Sequence, residues 1–124
     1  RRMGSLIKEQ VRACDIVARY GGEEFVVALP TTTVQAAYEI AERLRQAICS
    51  TTLSFYDKSF NVSVSIGMSH LKSLSIAQHH DTELICTTLL DQADKALYIA
   101  KESGRNQVSV YKNQQSVNRS LFAD

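Results

Sequence analysis

Two glycines followed directly by two glutamates, Gly21 to Glu24, separate two apolar runs in the first quarter of the chain. Glycine has no Cβ, so a ligand can lie against the backbone N–H groups of such a turn. A carboxylate that close repels a phosphate unless a divalent cation lies between them, because hard cations take oxygen ligands from protein and phosphate alike. The pattern indicates metal-dependent phosphoryl chemistry, although a plain hairpin tip with solvated glutamates explains the same four residues equally well.

Two further pairs of charged residues are candidates for binding an anion. Lys101 and Arg105 are four apart across the end of a predicted helix and can present two positive charges on one side. Cations are also favoured at a helix C-terminus by the helix dipole, whatever the function. Arg12 and Asp15 form either an exposed ion pair of little energetic value or a clamp for a phosphate or a guanine edge. The residues alone leave both alternatives open.

The composition is that of an ordinary globular protein, with 44% hydrophobic and 22% charged residues in a chain of 124. The formal net charge of +1 provides no bulk attraction for nucleic acid or an anionic membrane. No apolar run approaches the roughly 20 residues of a membrane span, and the chain begins inside a helical pattern without a signal peptide. We therefore expect one domain, part of a longer protein. We expect the three cysteines to be reduced thiols in the core of a cytoplasmic protein; they are Cys14, Cys49 and Cys86.

Apolar residues at helical spacing predict three helices. The first covers residues 2–13. The second, of about 16 residues, follows Pro30, where Thr32 and Gln35 form a capping box. The third runs over residues 82–103 and is closed by Gly104 in the position after the helix cap.

Short runs rich in β-branched and aromatic residues predict strands over residues 15–20, 25–29, 61–69 and 107–111. The first two form a hairpin whose turn uses the positive φ that glycine tolerates. The third alternates strictly and carries Ser and Gly on one face, so we expect that face to lie close to another element.

The remaining segments are predicted to be irregular. Residues 50–60 are expected to form a loop or a small edge ribbon, and residues 70–81 a surface loop. Within that loop, His79 and His80 are expected to be solvated rather than metal ligands, because a metal site needs more convergent ligands than one adjacent pair. The element order predicts an α/β sandwich built around an antiparallel hairpin.

These residues resemble one family. The run RACDIVARYGGEEF, from Arg12 to Phe25, resembles the R-x-x-D, five-residue spacer and GG(D/E)EF segment of diguanylate cyclases. Downstream, Ser65-Ile66-Gly67 and the run ADKALYIAKESGRN, ending at Asn106, are similar to that family's S-x-G strand and A-D-x-A-L-Y-x-A-K-x-x-G-R-N signature. The resemblance covers about residues 1–112, which we interpret as a partial GGDEF domain followed by a polar tail over residues 113–124.

The resemblance implies an α+β sandwich of the nucleotidyl-cyclase type, with a mixed, mainly antiparallel sheet flanked by helices. It implies condensation of two GTP molecules into cyclic di-GMP and two pyrophosphates by a cytoplasmic homodimer that uses Mg²⁺ or Mn²⁺. Glu23 and Glu24 would then be catalytic and metal-binding. The other implied roles are nucleotide or phosphate binding by Gly21, Gly22, Lys101 and Arg105, and product inhibition through Arg12 and Asp15.

The family's opening segments are absent from this sequence. They comprise a D-x-L-T-x-L-x-N-R-R segment, a central strand with a metal-binding Asp, a guanine-reading helix and a G-H-x-x-G-D turn. We therefore expect weak metal affinity, exposed edges on the strands near residues 25–29 and 62–68, and no activity in the isolated chain. A sensory or regulatory domain is expected upstream in the parent protein, and whether that upstream region also anchors the parent to a membrane is left open. The alternatives are a degenerate module that senses cyclic di-GMP or GTP without catalysis, and a purely structural or dimerisation domain.

Overall fold

The computed structural model describes residues 2–74 and 81–112, which fall into two compact units. The first unit is Arg1–Val64 and the second is Ser65–Asp124. Each unit has its own buried residues. His79, His80 and the predicted tail over residues 113–124 lie outside the described residues. None of the described helices is both long and apolar enough to span a membrane.

The first unit contains two helices and two antiparallel hairpins. Helix α1 covers Arg2–Gln10 and α2 covers Val34–Ser50. Strands β1 (Ile16–Arg19) and β2 (Phe25–Ala28) form one hairpin, with Arg19 opposite Phe25. Strands β3 (Thr52–Phe55) and β4 (Lys58–Asn61) form the other, so of the two predicted alternatives for this segment, a loop or a small ribbon, the ribbon is correct. The helices pack together through buried apolar side chains, Leu6, Ile7, Ala41, Leu44 and Ile48.

Two predicted helix boundaries in this unit are wrong. Helix α1 ends at Gln10 rather than at residue 13, because the Asp15 carboxylate accepts the Arg12 backbone N–H and turns the chain out of the helix. The N-cap of α2 is Thr33, not Thr32, since the Thr33 side chain accepts from the Ala36 N–H.

The second unit packs one long helix on a two-stranded parallel sheet. A 3₁₀ turn at Leu71–Ser73 follows β5 (Ile66–Met68), which pairs with β6 (Val108–Val110). Helix α3 covers Thr82–Glu102, begins at an Asp81 cap and contacts both strands. Gly104, at φ 118°, follows the cap residue Ser103, which confirms the predicted helix end.

Gly67 explains how closely α3 approaches β5. A Cβ built on Gly67 would overlap backbone atoms of Ala93 and Leu97, and would lie 2.7 Å from the Leu97 Cα. The predicted close approach to the Ser and Gly face of this strand is therefore confirmed. The predicted strand over residues 61–69 is shorter than expected, because Asn61 belongs to β4 and residues 62–65 take part in no ladder among the described residues.

The described strands form three separate two-stranded sheets rather than one continuous sheet. Among the described residues, β2 therefore pairs only with β1, and β5 pairs only with β6. This arrangement agrees with the expectation that a central strand of the domain is absent from this sequence.

The three cysteines, all of which lie among the described residues, form no disulfide, but the expectation that all three are core thiols is wrong. Cys14 is exposed because α1 ends before it and the turn at Arg12–Asp15 carries it off the apolar face of that helix. Cys86 is exposed near the start of α3, whose buried residues lie at or after the middle of the helix. Cys49 is half-buried.

Candidate functional site

The tip of the β1–β2 hairpin is a loop over residues 20–24, called the GGEE loop below. The Tyr20 N–H donates to the Glu24 carbonyl at 2.8 Å and closes this loop. Neither Gly21 nor Gly22 has a positive φ, so the predicted glycine turn is wrong in its backbone geometry. A loop of this length closes without the left-handed conformation that a two-residue turn requires.

The glycines leave the backbone of the GGEE loop uncovered. A Cβ on Gly22 would meet no atom of the described residues within 4 Å, and a Cβ on Gly21 would lie 3.9 Å from Glu24 Oε1. Among the described residues, no steric requirement therefore demands glycine at these positions. Glycine leaves an open backbone face there, and its use by a ligand stays a prediction.

Glu23 and Glu24 are both exposed and supply carboxylate oxygens beside that open backbone. Mg²⁺ is usually held by one or two carboxylates together with substrate phosphates and water, so this pair fits a divalent cation that arrives with a nucleotide. Across residues 2–74 and 81–112, no group of three His, Cys, Asp or Glu residues is placed to hold a metal by itself. Two carboxylates alone would fill only part of a coordination shell, and the role of Glu23 and Glu24 as metal ligands stays a prediction.

Arg19 contacts the GGEE loop, and the sequence analysis did not single it out. Its Nε and Nη2 donate to the Gly22 carbonyl at 3.2 and 2.7 Å. Its guanidinium carbon also lies 5.8 Å from the centre of the Phe25 ring, which is its cross-strand neighbour. The sequence did contain a signal for this contact, namely an arginine before the glycines and an aromatic residue after them, which a hairpin places opposite each other.

Arg12 and Asp15 form a two-point ion pair at the base of the same hairpin. Arg12 Nη2 lies 2.8 Å from Asp15 Oδ1, and Arg12 Nε lies 3.2 Å from Asp15 Oδ2. The same Oδ2 accepts the Arg12 backbone N–H at 2.7 Å. The hydrogen bonds from Arg12 hold the pKa of Asp15 below its ordinary value, although burial opposes the shift.

The Arg12 guanidinium also reaches the segment that follows β2. Its Nη2 donates to the Thr32 hydroxyl and to the Pro30 carbonyl, the latter at 3.3 Å. Arg12 thus links the chain before β1 to the chain after β2. Thr32 has this role instead of the predicted capping role, and the sequence contains no signal for it beyond a hydroxyl near the strand end.

Lys101 and Arg105 lie at the C-terminal end of α3, and both are exposed. Lys101 is in the last turn of α3, whereas Arg105 follows the helix and adopts a left-handed conformation with φ 64°. Its N–H donates to the Ala100 carbonyl at 2.9 Å, which satisfies a helix-terminal acceptor. Because Arg105 is not on the helix, helical i,i+4 spacing does not describe this pair.

The structure thus groups the candidate residues in two places. Residues 12–24, in the first unit, bring together the GGEE loop at the hairpin tip and the Arg12–Asp15 pair at its base. Lys101 and Arg105 belong to the second unit. The joint action of the two groups at one nucleotide stays a prediction.

Comparisons with known proteins give consistent results. A family model described as "Diguanylate cyclase, GGDEF domain" matches residues 1–107. Diguanylate cyclase A of Treponema denticola is 39% identical over 111 residues, which cover 90% of this chain and 28% of that protein. The chain therefore spans less than a third of the length of this curated relative.

Solved structures with the same fold include two GGDEF domains. That of PA1120 (TpbB or YfiN) from Pseudomonas aeruginosa aligns with a TM-score of 0.76 at 26% identity, covering 96% of this chain and 65% of that one. That of DgcB from Caulobacter crescentus, in complex with c-di-GMP, aligns with a TM-score of 0.73 at 26% identity, covering 88% of this chain and 60% of that one. The likeness confirms the predicted fold class.

Proposed function

Because the chain belongs to the GGDEF family of diguanylate cyclases, we propose that it forms the GGEE-bearing part of a domain that condenses two GTP molecules into cyclic di-GMP. The observation that carries the proposal is the GGEE loop, where two exposed carboxylates adjoin a backbone without side-chain cover. A nucleoside triphosphate with a bound divalent cation matches both the carboxylates and the uncovered backbone. The resemblance of two distant segments to the family's signature supports the same substrate.

Each candidate residue has a role in this proposal. The open backbone at Gly21 and Gly22 lies against the nucleotide, and Glu23 takes part in drawing the proton from the attacking 3′-hydroxyl. Glu24 supports the metal or the base chemistry beside it. Mg²⁺ or Mn²⁺, held by Glu23 and Glu24, would neutralise phosphate charge when bound. Lys101 and Arg105 hold the terminal phosphates through their positive charges.

Two chains cooperate in this proposal, each holding one GTP. Each 3′-oxygen forms a bond to the α-phosphorus of the partner's GTP while the bond from that phosphorus to pyrophosphate breaks. Two GTP molecules therefore yield one cyclic di-GMP, two pyrophosphates and the two protons lost by the hydroxyls. The assay follows both products by chromatography, using the native protein that contains this chain. A GTP hydrolysis product without cyclic di-GMP would contradict the proposal.

The 124-residue chain alone is proposed to be inactive, because β2 and β5 pair in separate sheets and no third metal-binding side chain joins the glutamates among the described residues. The test compares the purified chain with a form extended by its native upstream sequence, at equal concentrations of GTP and Mg²⁺. We expect product from the extended form only. Cyclic di-GMP made by the 124-residue chain would overturn this part of the proposal.

The Arg12–Asp15 pair is proposed as the product-inhibition site. Arg12 is exposed and already oriented by hydrogen bonds, so it can meet a phosphate or a guanine edge without further ordering. The same preformed pair favours a second candidate function, a sensor that binds cyclic di-GMP without catalysis. Calorimetry combined with the product assay separates the two, because a sensor binds cyclic di-GMP and leaves GTP unconsumed.

We propose a cytoplasmic location, where GTP is available, with a regulatory or sensory domain elsewhere in the parent protein. The match covers 28% of the length of the Treponema denticola relative, so a parent protein of similar length can contain such a domain. Fractionation of cells that express the tagged native protein tests the location. Recovery of the GGDEF domain outside the cytoplasmic compartment would contradict it.

A further inference from the structure

We propose that Arg19 is a positioning residue that directs the Glu23 N–H toward the nucleotide by holding the Gly22 carbonyl. The inference rests on the proposed function, since it concerns how the GGEE loop meets its phosphate ligand. Arg19 lies at the end of β1, immediately before this loop.

The hold is a two-point contact. Both Nε and Nη2 of Arg19 donate to the single oxygen of Gly22, and the guanidinium lies beside the Phe25 ring. The planar guanidinium fork and its stacking on an aromatic ring are features that a lysine lacks. The Tyr20 N–H bond to the Glu24 carbonyl fixes the loop ends, whereas Arg19 acts on the peptide group in the middle.

Because the peptide group is planar, the orientation of the Gly22 carbonyl also determines where the Glu23 N–H points. The bond between Gly22 and Glu23 is trans, as all described peptide bonds are, so its C=O and N–H point in opposite directions. With the Gly22 oxygen turned toward Arg19, the Glu23 N–H points away from Arg19. Within the described residues, no hydrogen bond from this N–H to a protein acceptor is formed. The N–H is therefore free to donate to a phosphate oxygen.

The loop needs such a restraint because of its glycines. Gly22 has no Cβ, and no atom of residues 2–74 or 81–112 lies within 4 Å of a Cβ built there, so contacts with these residues do not prevent the peptide from rotating. A rotated peptide would present the Gly22 carbonyl oxygen to the phosphate, where two negative groups repel. Arg19 restrains the peptide group that the glycines leave free to rotate, and it does so without covering the open face of the loop.

The test measures backbone order in the 124-residue chain and compares Arg19→Gln and Arg19→Lys with wild type. Arg19 lines an open depression between α1 and the hairpin, so neither change empties the buried core. The matched control is Arg43→Gln, since Arg43 also holds a backbone carbonyl, that of Gln10, at 2.6 Å. The readouts are ¹⁵N order parameters at Gly22 and Glu23 and the hydrogen-exchange rate of the Tyr20 N–H.

In both Arg19 variants we expect order parameters to fall from about 0.85 toward 0.6 or below. The Tyr20 N–H should exchange about tenfold faster, the change expected when a hydrogen bond to a charged group is lost. The Arg43→Gln variant should match wild type. Wild-type order in Arg19→Gln, or equal loss of order in Arg43→Gln, would overturn the inference.

Activity measurements on the native protein separate this inference from the proposed function. If the inference holds, Arg19→Lys lowers kcat more than it raises KM, because the donor is misdirected while the positive charge is kept. Loss of loop order in a protein that never makes cyclic di-GMP would leave the inference standing and defeat the proposed function. Normal product formation and normal loop order in Arg19→Lys would defeat the inference and leave the proposed function standing.

Discussion

The Asp15 side chain is fully enclosed, whereas the Arg12 side chain that holds both of its carboxylate oxygens is 46% exposed. The pair is thus directional, with the acid facing inward and the guanidinium facing outward. Asp15 ends α1 by accepting the Arg12 backbone N–H, and it also orients the Arg12 side chain. A ligand at the proposed site would therefore meet Arg12 first, and Asp15 would act on it through Arg12.

Replacing Asp15 by Asn should lower the stability of the chain at neutral pH and reduce its pH dependence in acid. The folded pKa of Asp15 lies below its ordinary value of 3.8, mainly because Arg12 donates to the ionised carboxylate. Its contribution to stability is therefore present above the ordinary pKa and is lost as the pH falls through the folded pKa. Urea unfolding over a pH series measures the difference between wild type and variant, which should shrink in acid. A pH-independent difference, or an equal one for the exposed-acid control Asp57→Asn, would contradict this account.

Replacing Gly67 by Ala should destabilise the second unit by about 1–3 kcal/mol, because the new methyl group meets backbone atoms of Ala93 and Leu97 that cannot rotate away. The control is Gly22→Ala, whose methyl group enters open space. Thermal unfolding followed by circular dichroism compares the two variants. An equal effect of both substitutions would show that α3 does not pack this closely on β5.

Replacing Arg105 by Gly should stabilise the chain by about 1 kcal/mol, since a non-glycine residue at positive φ carries a steric cost of that order. The same change removes a proposed phosphate-binding cation and should raise the KM for GTP in the native protein. Arg105→Ala is the matched variant, because it removes the cation but retains a Cβ. It should weaken GTP binding without the gain in stability. A stabilised Arg105→Gly variant with unchanged KM would remove Arg105 from the proposed site.

Replacing Arg12 by Ala should weaken cyclic di-GMP binding at least about tenfold, because charge-assisted hydrogen bonds to the ligand are lost. The initial rate of synthesis should persist, since Arg12 and the GGEE loop lie at opposite ends of the hairpin. Thr32→Val removes only the hydroxyl that accepts from Arg12 and should weaken binding less. Isothermal titration calorimetry ranks the three proteins, and unchanged affinity in Arg12→Ala would refute the proposed inhibition site.

Local signals predicted much of this structure. The end of α3 at Gly104 was predictable because glycine after a helix marks the left-handed cap, and the β1–β2 hairpin because its two apolar runs flank a glycine pair. The close packing at Gly67 followed from strict alternation of large and small side chains.

The features that the sequence did not predict depend on individual hydrogen bonds that side chains make, which residue type and periodicity do not specify. Helix α1 ends early because the Asp15 carboxylate accepts a hydrogen bond from the Arg12 backbone N–H. The spacing of apolar residues does not predict that hydrogen bond. Adjacent Thr32 and Thr33 are equivalent as N-cap residues by type, and the contacts of the Thr32 hydroxyl with Arg12 and the Pro30 carbonyl distinguish Thr32. The role of Arg19 likewise depends on the direction of one carbonyl group.

The most direct test of the central claim is the rate of cyclic di-GMP formation from GTP by the native protein and its Glu23→Gln variant. Glu23 is exposed, so the substitution leaves the packed core intact, and thermal unfolding should be unchanged. We predict a loss of about a hundredfold or more, the scale seen when a group that stabilises charge in a transition state is removed. Synthesis at the wild-type rate in Glu23→Gln would contradict the assignment of the GGEE loop as the catalytic feature.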